Sequence, residues 1–126
     1  MFISFLLLAL MLFSCSSKTD KCPPEWYVNY KVDNKKLCGA GYATVHIKGK
    51  SAQEALAIAR AIEKIAAQKN VRVDSETLVE QIWTQNSAQS LGRKGIKLEI
   101  KDIGVSGVIK EAKWCGSDFY VLICEE

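Results

Sequence analysis

The sequence predicts an α+β domain, with a mostly antiparallel sheet of about four strands and one long amphipathic helix packed on one face. Three observations predict this fold class. Residues 51–69 show helical periodicity, segments with strand-like alternation lie on both sides of them, and two strand-like runs near the end of the chain are separated by a short turn. The order strand, helix, strand, strand, strand is typical of an α+β domain.

The helix is predicted to run from Ser51 to Lys69. Ser51 and Glu54 have the spacing of a capping box, in which the hydroxyl and the carboxylate satisfy amides of the first turn. Apolar side chains recur at three- and four-residue steps and predict the buried face, which consists of Ala55, Ile58, Ala59, Ile62, Ile65 and Ala66. The opposite face is predicted to carry Gln53, Arg60, Lys64 and Gln68.

The strand predictions before and after this helix rest on shorter patterns. Residues 25–32 read as a short aromatic strand and residues 39–47 as the first core strand. Alternating apolar positions predict a third strand at 71–83. Residues 86–95 carry turn residues and read as a loop or a weak helix, and residues 96–103 fit either a strand or a helical turn.

The end of the chain predicts a hairpin. Residues 105–114 and 119–124 form the two strands, and residues 115–118 form a four-residue loop. The long apolar run of the last strand predicts that both of its faces are buried near the centre of the sheet.

The first 14 residues are predicted to be an export signal. They are mostly apolar, and 13 residues of helix span only about 20 Å, too short for a hydrocarbon core of roughly 30 Å. Leu12-Phe13-Ser14-Cys15 resembles a bacterial lipobox, in which the cysteine receives a diacylglycerol and the chain is cut before it. An ordinary secretory signal or an uncleaved anchor is the alternative. The predicted organisation is a lipoprotein signal peptide at 1–14, a lipidated tether at 15–24 and a single α+β domain at 25–126.

The expected location follows from Cys15 and the residue after it. A lipoprotein cysteine at position 15 would carry three acyl chains, whereas stable membrane anchoring needs only two membrane-binding signals. The membrane is therefore a predicted partner, bound through the lipid. By the resemblance to bacterial lipoproteins, Ser16 in place of Asp implies the outer membrane, with the domain facing the periplasm.

Charge and motif content exclude several function classes. The 17 Lys and Arg and 14 Asp and Glu are interspersed, which argues against a nucleic-acid partner. Gly39 and Gly41 precede a strand instead of opening a helix, so no nucleotide cofactor is predicted. With one histidine, His46, and no C-x-x-C pair, no metal and no catalytic residue are predicted, and a redox or hydrolytic enzyme ranks lowest.

If Cys15 carries lipid, Cys22, Cys38, Cys115 and Cys124 are the disulfide candidates. Nine extended steps separate Cys115 from Cys124 by roughly 30 Å, whereas a disulfide needs α-carbons within about 7 Å. One helix that returns the chain between the first and second core strands makes these strands parallel, and two successive hairpins make the last strand parallel to both. Cys38 and Cys115 then start strands at the same end of the sheet, which favours Cys38 with Cys115 and Cys22 with Cys124. A different strand direction would reverse that choice.

Four motifs follow the lipobox in a fixed order: Pro24-Glu25-Trp26, Gly39-x-Gly41-x-Ala43, the alanine-rich helix with Ala55 and Ala59, and Phe119-Tyr120-Val121-Leu122. Together they resemble the Lpp-twenty lipoprotein family. These are small outer-membrane lipoproteins of spiral, flagellated bacteria, and some relatives build the basal disk around the flagellar motor. The resemblance implies a shared fold and an envelope role, with association with the flagellum as one form of that role.

The expected function is non-enzymatic: a lipid-anchored envelope domain that self-associates or docks on other envelope proteins. The alternative is a periplasmic small-ligand or cell-wall-binding module that uses Trp26, Tyr27, Tyr30 and Tyr42, although these aromatics fit strand packing better. Concentration-dependent oligomers favour the first function, and a monomer until ligand is added favours the second.

Overall fold

The computed structural model describes residues 22–28, 36–85 and 91–126. Helices of this part are α1 (Glu25–Val28), α2 (Lys50–Gln68) and α3 (Ser75–Gln85), and its strands are β1 (Cys38–Ala43), β2 (Lys97–Ile100), β3 (Val105–Cys115) and β4 (Asp118–Glu125). None of these helices is long and apolar enough to cross a membrane. The signal segment, Cys15, the tether before Cys22 and Tyr30 lie outside the described residues.

The four strands form one antiparallel sheet in the order β1-β4-β3-β2. Helix α2 packs on one face of this sheet, so the predicted α+β fold class is confirmed. Strand β4 lies between β1 and β3, and its residues from Phe119 to Cys124 are buried, as the apolar run predicted. The predicted hairpin is confirmed with a shorter loop, because only Gly116 and Ser117 separate β3 from β4.

Helix α2 buries the predicted apolar stripe completely. Its alanines allow the helix to approach β1 closely, where Gly39 and Gly41 carry no side chain. A Cβ built on Gly41 would overlap the carbonyl oxygen of Ala57, and one built on Gly39 would overlap that of Ala61. Small residues on both sides therefore set the distance between helix and sheet.

The predicted capping box is wrong. Helix α2 begins at Lys50 after Gly49, whose φ of 101° suits a glycine, and no side chain caps its amides. Glu54 is buried, and its carboxylate accepts a hydrogen bond from the Gly92 amide at 2.9 Å. The carboxylate therefore bonds to a loop that is distant in sequence and not to the first turn of α2.

The predicted placement of Gln53 on the solvent face is also wrong. Its side chain is only 3% exposed. Its amide donates hydrogen bonds to the carbonyl oxygens of Ala43, at 2.8 Å, and Ser117, at 2.6 Å. Gln53 thus joins the end of β1 to the β3–β4 turn. Arg60, Lys64 and Gln68 are exposed as predicted.

The strand predicted at 71–83 is wrong, because most of that segment forms α3. Asp74 starts the helix: its carboxylate accepts hydrogen bonds from the Glu76 amide and the Thr77 hydroxyl, and its carbonyl accepts one from the Leu78 amide. Leu78 and Ile82, one turn apart, are buried in the main core. The four-residue spacing of Leu78 and Ile82 fits a helix, and it outweighs the strand-like alternation of Val71 and Val73.

Three other segments differ in detail from their predictions. The aromatic strand predicted at 25–32 is wrong where it is described, since Glu25–Val28 forms a helical turn after Pro24. The first core strand ends at Ala43, and residues 44–47 continue without strand pairing. Residues 96–103, which fitted either a strand or a helical turn, contain both β2 and a 3-10 turn at Lys101–Ile103. Of the predicted loop, residues 91–95 contain no helix or strand, and residues 86–90 lie outside the described part.

Disulfides are present, and their predicted connectivity is wrong. Cys22 pairs with Cys115 and Cys38 pairs with Cys124. Two helices, α2 and α3, separate β1 from β2, and β1 runs antiparallel to β4 where the prediction had them parallel. The reversal brings Cys38 opposite Cys124 at one end of the sheet. Cys115 does not pair with Cys124, as the extended strand between them predicted.

Candidate functional site

The sheet face that α2 leaves uncovered, here called the open face, is covered in part by α1. Its central positions come from β1 and β4 and pair across the ladder as Cys38 with Cys124, Ala40 with Leu122 and Tyr42 with Tyr120. Trp26 and Tyr27 of α1 pack against the apolar residues of this face. The open face therefore has its own small core, separate from the core beneath α2.

Both disulfides belong to the open face. Cys38 and Cys124 bond across the β1–β4 ladder. Cys22 bonds to Cys115, at the end of β3 beside the hairpin turn, with α-carbons 5.9 Å apart. Because α1 begins three residues after Cys22, this second disulfide fastens the start of α1 to the sheet.

Three tyrosines form a contact group on this face. The Tyr42 and Tyr120 rings are stacked with centroids 5.3 Å apart, and Tyr27 meets Tyr120 edge-on at 4.9 Å. Burial raises the pKa of Tyr120, and the nearby Asp118 carboxylate raises this pKa further. Lys64 places its Nζ 5.6 Å from the centre of the Tyr27 ring, within cation-π range. The tyrosine rings thus pack mainly on one another.

A cleft of about 440 Å³ lies between this tyrosine group and α2. Tyr27 and Tyr42 line one side of it, and Arg60, Glu63 and Lys64 line the other. Arg60 donates a hydrogen bond from Nη1 to the Tyr42 carbonyl oxygen at 2.8 Å, so its charged head is held at the cleft. Aromatic rings beside cationic side chains can bind an aromatic ring or a sugar, so this cleft is the candidate site for the alternative ligand-binding function.

A larger groove of about 830 Å³ lies on the helical side of the molecule, between α3 and the start of α2. It is called the Trp83 groove here, and its lining consists of His46, Lys48, Ala52, Leu56, Glu76, Val79, Glu80, Trp83 and Thr84. Leu56, Val79 and Trp83 remain partly exposed and supply its apolar surface. The groove is an open surface feature suited to a broad contact.

The polar groups of the Trp83 groove are divided between its walls. Glu76 and Glu80 lie on α3, whereas His46 and Lys48 lie on the turn that follows β1. Lys48 Nζ lies 5.7 Å from the centre of the Trp83 ring, and its backbone amide donates to His46 Nδ1 at 3.0 Å. The predicted strand position of His46 is wrong, since this residue lies beyond β1.

The sequence patterns did not identify Tyr120 as part of the open face, or Trp83 and Lys48 as parts of a groove. Tyr120 could be found from the two-residue period of β4, but only with the correct β1–β4 register. The wrong strand at 71–83 concealed Trp83. Within the described residues, no three His, Cys, Asp or Glu side chains come together as a metal site would require.

Comparison with known proteins yields no relative: the chain matches no family model, no curated protein and no solved structure. The likeness to the Lpp-twenty lipoproteins therefore rests on the four sequence motifs and the lipobox alone.

Proposed function

We propose that this protein is a lipid-anchored lipoprotein of the cell envelope whose domain has a structural or assembly role and no catalytic one. The proposed anchor is Cys15, exposed as the new amino terminus when residues 1–14 are removed. The proposed location is the outer membrane, with the domain on the periplasmic side. A link to the flagellum follows from the Lpp-twenty resemblance and is part of the same proposal.

The observation that carries the proposal is the pair of disulfides. All four cysteines of the described residues are paired, and disulfides form and persist in oxidising compartments such as the periplasm. Paired cysteines also supply no thiolate nucleophile. An exported, cross-linked domain therefore fits these cysteines better than a cytosolic redox or hydrolytic enzyme does.

The position of Cys22 supports an anchored domain in particular. Cys22 follows Cys15 by seven positions, and a chain of that length extends at most about 25 Å. Because Cys22 is bonded to Cys115, the tether would enter the domain at the β3–β4 hairpin. A lipid on Cys15 would thus hold the hairpin end of the domain within about 25 Å of the bilayer surface.

The lipid anchor is tested with Cys15→Ala in the cell of origin. We expect this variant to accumulate as a precursor or as a soluble form, because the thiol is the acyl acceptor that the lipobox supplies. Membrane fractionation and detergent partitioning measure the change, and Ser14→Ala, which keeps a small residue before the cut, serves as the matched control. Unchanged membrane partitioning of Cys15→Ala would show that the apolar segment anchors the chain by itself.

The proposed outer-membrane address has its own test at Ser16. If this chain follows bacterial lipoprotein sorting, Ser16→Asp leaves the lipid in place and moves the protein to the inner membrane. Separation of the two membranes on a sucrose gradient measures the shift. An unchanged distribution would contradict the proposed sorting and leave the anchor itself intact.

A second candidate function is the small-ligand or cell-wall-binding module. The cleft beside Tyr27 and Tyr42, with Arg60 held at its edge, is the observation that favours it. Titration with soluble cell-wall fragments, followed by the NMR shifts of the two tyrosine rings, tests this function. Saturable shifts that Arg60→Ala weakens would support it, and unchanged ring shifts would contradict it.

A further inference from the structure

The Trp83 groove lies beside two of the most exposed large apolar side chains among the described residues. Val45 is 71% exposed and Ile47 is 97% exposed. They flank His46, which lines the groove, on the loop of residues 44–49 that joins β1 to α2. The exposed apolar side chains of this loop therefore alternate along the chain with His46 and Lys48, which line the groove. Neighbouring exposed apolar side chains of this size favour contact with another apolar surface.

The charges beside the groove are complementary between its two walls. The 44–49 loop carries Lys48, and Lys50 follows it at the start of α2. The facing helix α3 contributes Glu76 and Glu80, both exposed. A segment that enters the groove next to these carboxylates would be favoured if it were apolar and basic. The 44–49 loop of the protein itself has that chemistry.

We propose that the Trp83 groove binds the 44–49 loop of a second copy of this chain, with Ile47 as the apolar anchor. This inference rests on the proposed assembly role and names the surface that performs it. The groove and the loop are adjacent, so one twofold axis lets each copy insert its loop into the other. Lys48 of each copy then lies near Glu76 or Glu80 of the other.

The lipid anchor would favour dimer formation without adding a new contact between the two domains. Copies confined to one membrane surface have a higher effective concentration, so a weak domain contact suffices for assembly. The open face is already covered in part by α1, which the Cys22–Cys115 disulfide fastens. Among the described residues, the Trp83 groove is an apolar surface that lies beside the exposed side chains of the 44–49 loop.

Charge reversal tests the pairing directly. The processed lipoprotein is measured in detergent micelles by analytical ultracentrifugation. We expect wild-type dimers whose dissociation constant rises about tenfold in Lys48→Glu and in Glu80→Lys, because each places like charges together. The double variant should return to within about threefold of the wild type. Glu63→Lys, exposed on α2 away from the groove, is the matched control and should not change the constant.

Photo-crosslinking locates the contact. With p-benzoylphenylalanine in place of Ile47, an equal mixture of light and isotope-labelled chains should give mixed-isotope adducts to α3 near Trp83. The same probe at Arg72, which is exposed outside the groove, should give none of these adducts. Both probe sites are exposed, so neither substitution disturbs the core.

Three results would overturn the proposal: a monomeric wild type at every concentration measured, a double charge variant no better than the single ones, or crosslinks from position 47 that join only a different protein. These results leave the lipid anchor unaffected, since Cys15→Ala tests it by membrane partitioning. Conversely, if the Cys15 test showed no lipid anchor, the mixed-isotope crosslinks between domains would still be expected. The two proposals therefore fail separately.

Discussion

Cys38 and Cys124 face each other across the β1–β4 ladder, and their disulfide ties the first strand of the sheet to the last. The Glu125 amide donates to the Leu37 carbonyl at 2.8 Å, which makes the next pair along, Cys38 and Cys124, a pair without mutual backbone hydrogen bonds. Such pairs bring α-carbons closest together in an antiparallel ladder. The bond closes a loop over a sequence separation of 86 residues that contains all of the helical layer above the sheet.

Peptide mapping without reduction should recover Cys22 linked to Cys115 and Cys38 linked to Cys124. Trypsin alone cannot distinguish the pairings, because no Lys or Arg follows Lys113 and both later cysteines remain in one peptide. Added chymotrypsin cuts after Phe119 or Tyr120 and separates them. A peptide that joins Cys38 to Cys115 would contradict the antiparallel β1–β4 register.

Replacement of Ile62 by Asp should unfold the domain. Ile62 is buried in the main core, so the change loses about 2–5 kcal/mol of packing and adds a buried carboxylate. Lys64→Ala is the control: Lys64 is exposed and gives up mainly its contact with the Tyr27 ring, which costs about 1 kcal/mol or less. Thermal unfolding compares the two, and equal melting temperatures would refute the orientation of α2.

Gly41→Ala should destabilise the protein much more than Gly107→Ala. The new methyl group at Gly41 would overlap backbone atoms of α2, which cannot move without displacing the helix. At Gly107 the overlap is smaller, because the nearest atoms to a new methyl group are the Ile123 Cγ2 at 2.8 Å and the Cys124 carbonyl oxygen at 3.1 Å. We expect losses of about 3 kcal/mol and about 1 kcal/mol. Urea unfolding measures both, and a reversed order would contradict the close packing of α2 on β1.

Alkaline pH should weaken the folded state through Tyr120. Burial, aided by Asp118, raises the pKa of Tyr120 in the folded state above the value near 10 that it has in the unfolded chain. The stability linked to this group is therefore fully present below about pH 10 and is lost as the pH rises through the folded-state pKa. The free energy of unfolding should fall less steeply above about pH 10 in Tyr120→Phe than in wild type. Parallel pH profiles of the two proteins would refute this assignment.

Local patterns predicted the elements that depend on their own periodicity. The stripe from Ala55 to Ala66 places α2 on the sheet, and the apolar run from Phe119 to Cys124 places β4 at its centre. Both patterns are long enough to outweigh local ambiguity. The final hairpin followed from the turn residues Gly116 and Ser117 between two such runs.

The errors arose where contacts distant in sequence decide the structure. Gln53 donates to the carbonyls of Ala43 and Ser117, and Glu54 accepts from the Gly92 amide, and no local spacing reveals these partners. The strand predicted at 71–83 was a local error instead, because Asp74 starts a helix where alternation indicated a strand. The additional helix α3 reversed the direction of β1 relative to β4 and with it the disulfide connectivity. The Tyr27, Tyr42 and Tyr120 group and the Trp83 groove depend on that same tertiary arrangement.

The lipid anchor on Cys15 is tested most directly by the mass of the amino-terminal peptide from the protein isolated from membranes. Trypsin cuts after Lys18, so a processed lipoprotein releases a short peptide that begins at Cys15. We predict that this peptide carries a diacylglycerol on the cysteine thiol and an acyl group on the new amino terminus. A chain that begins at Met1, or an unmodified Cys15, would contradict it.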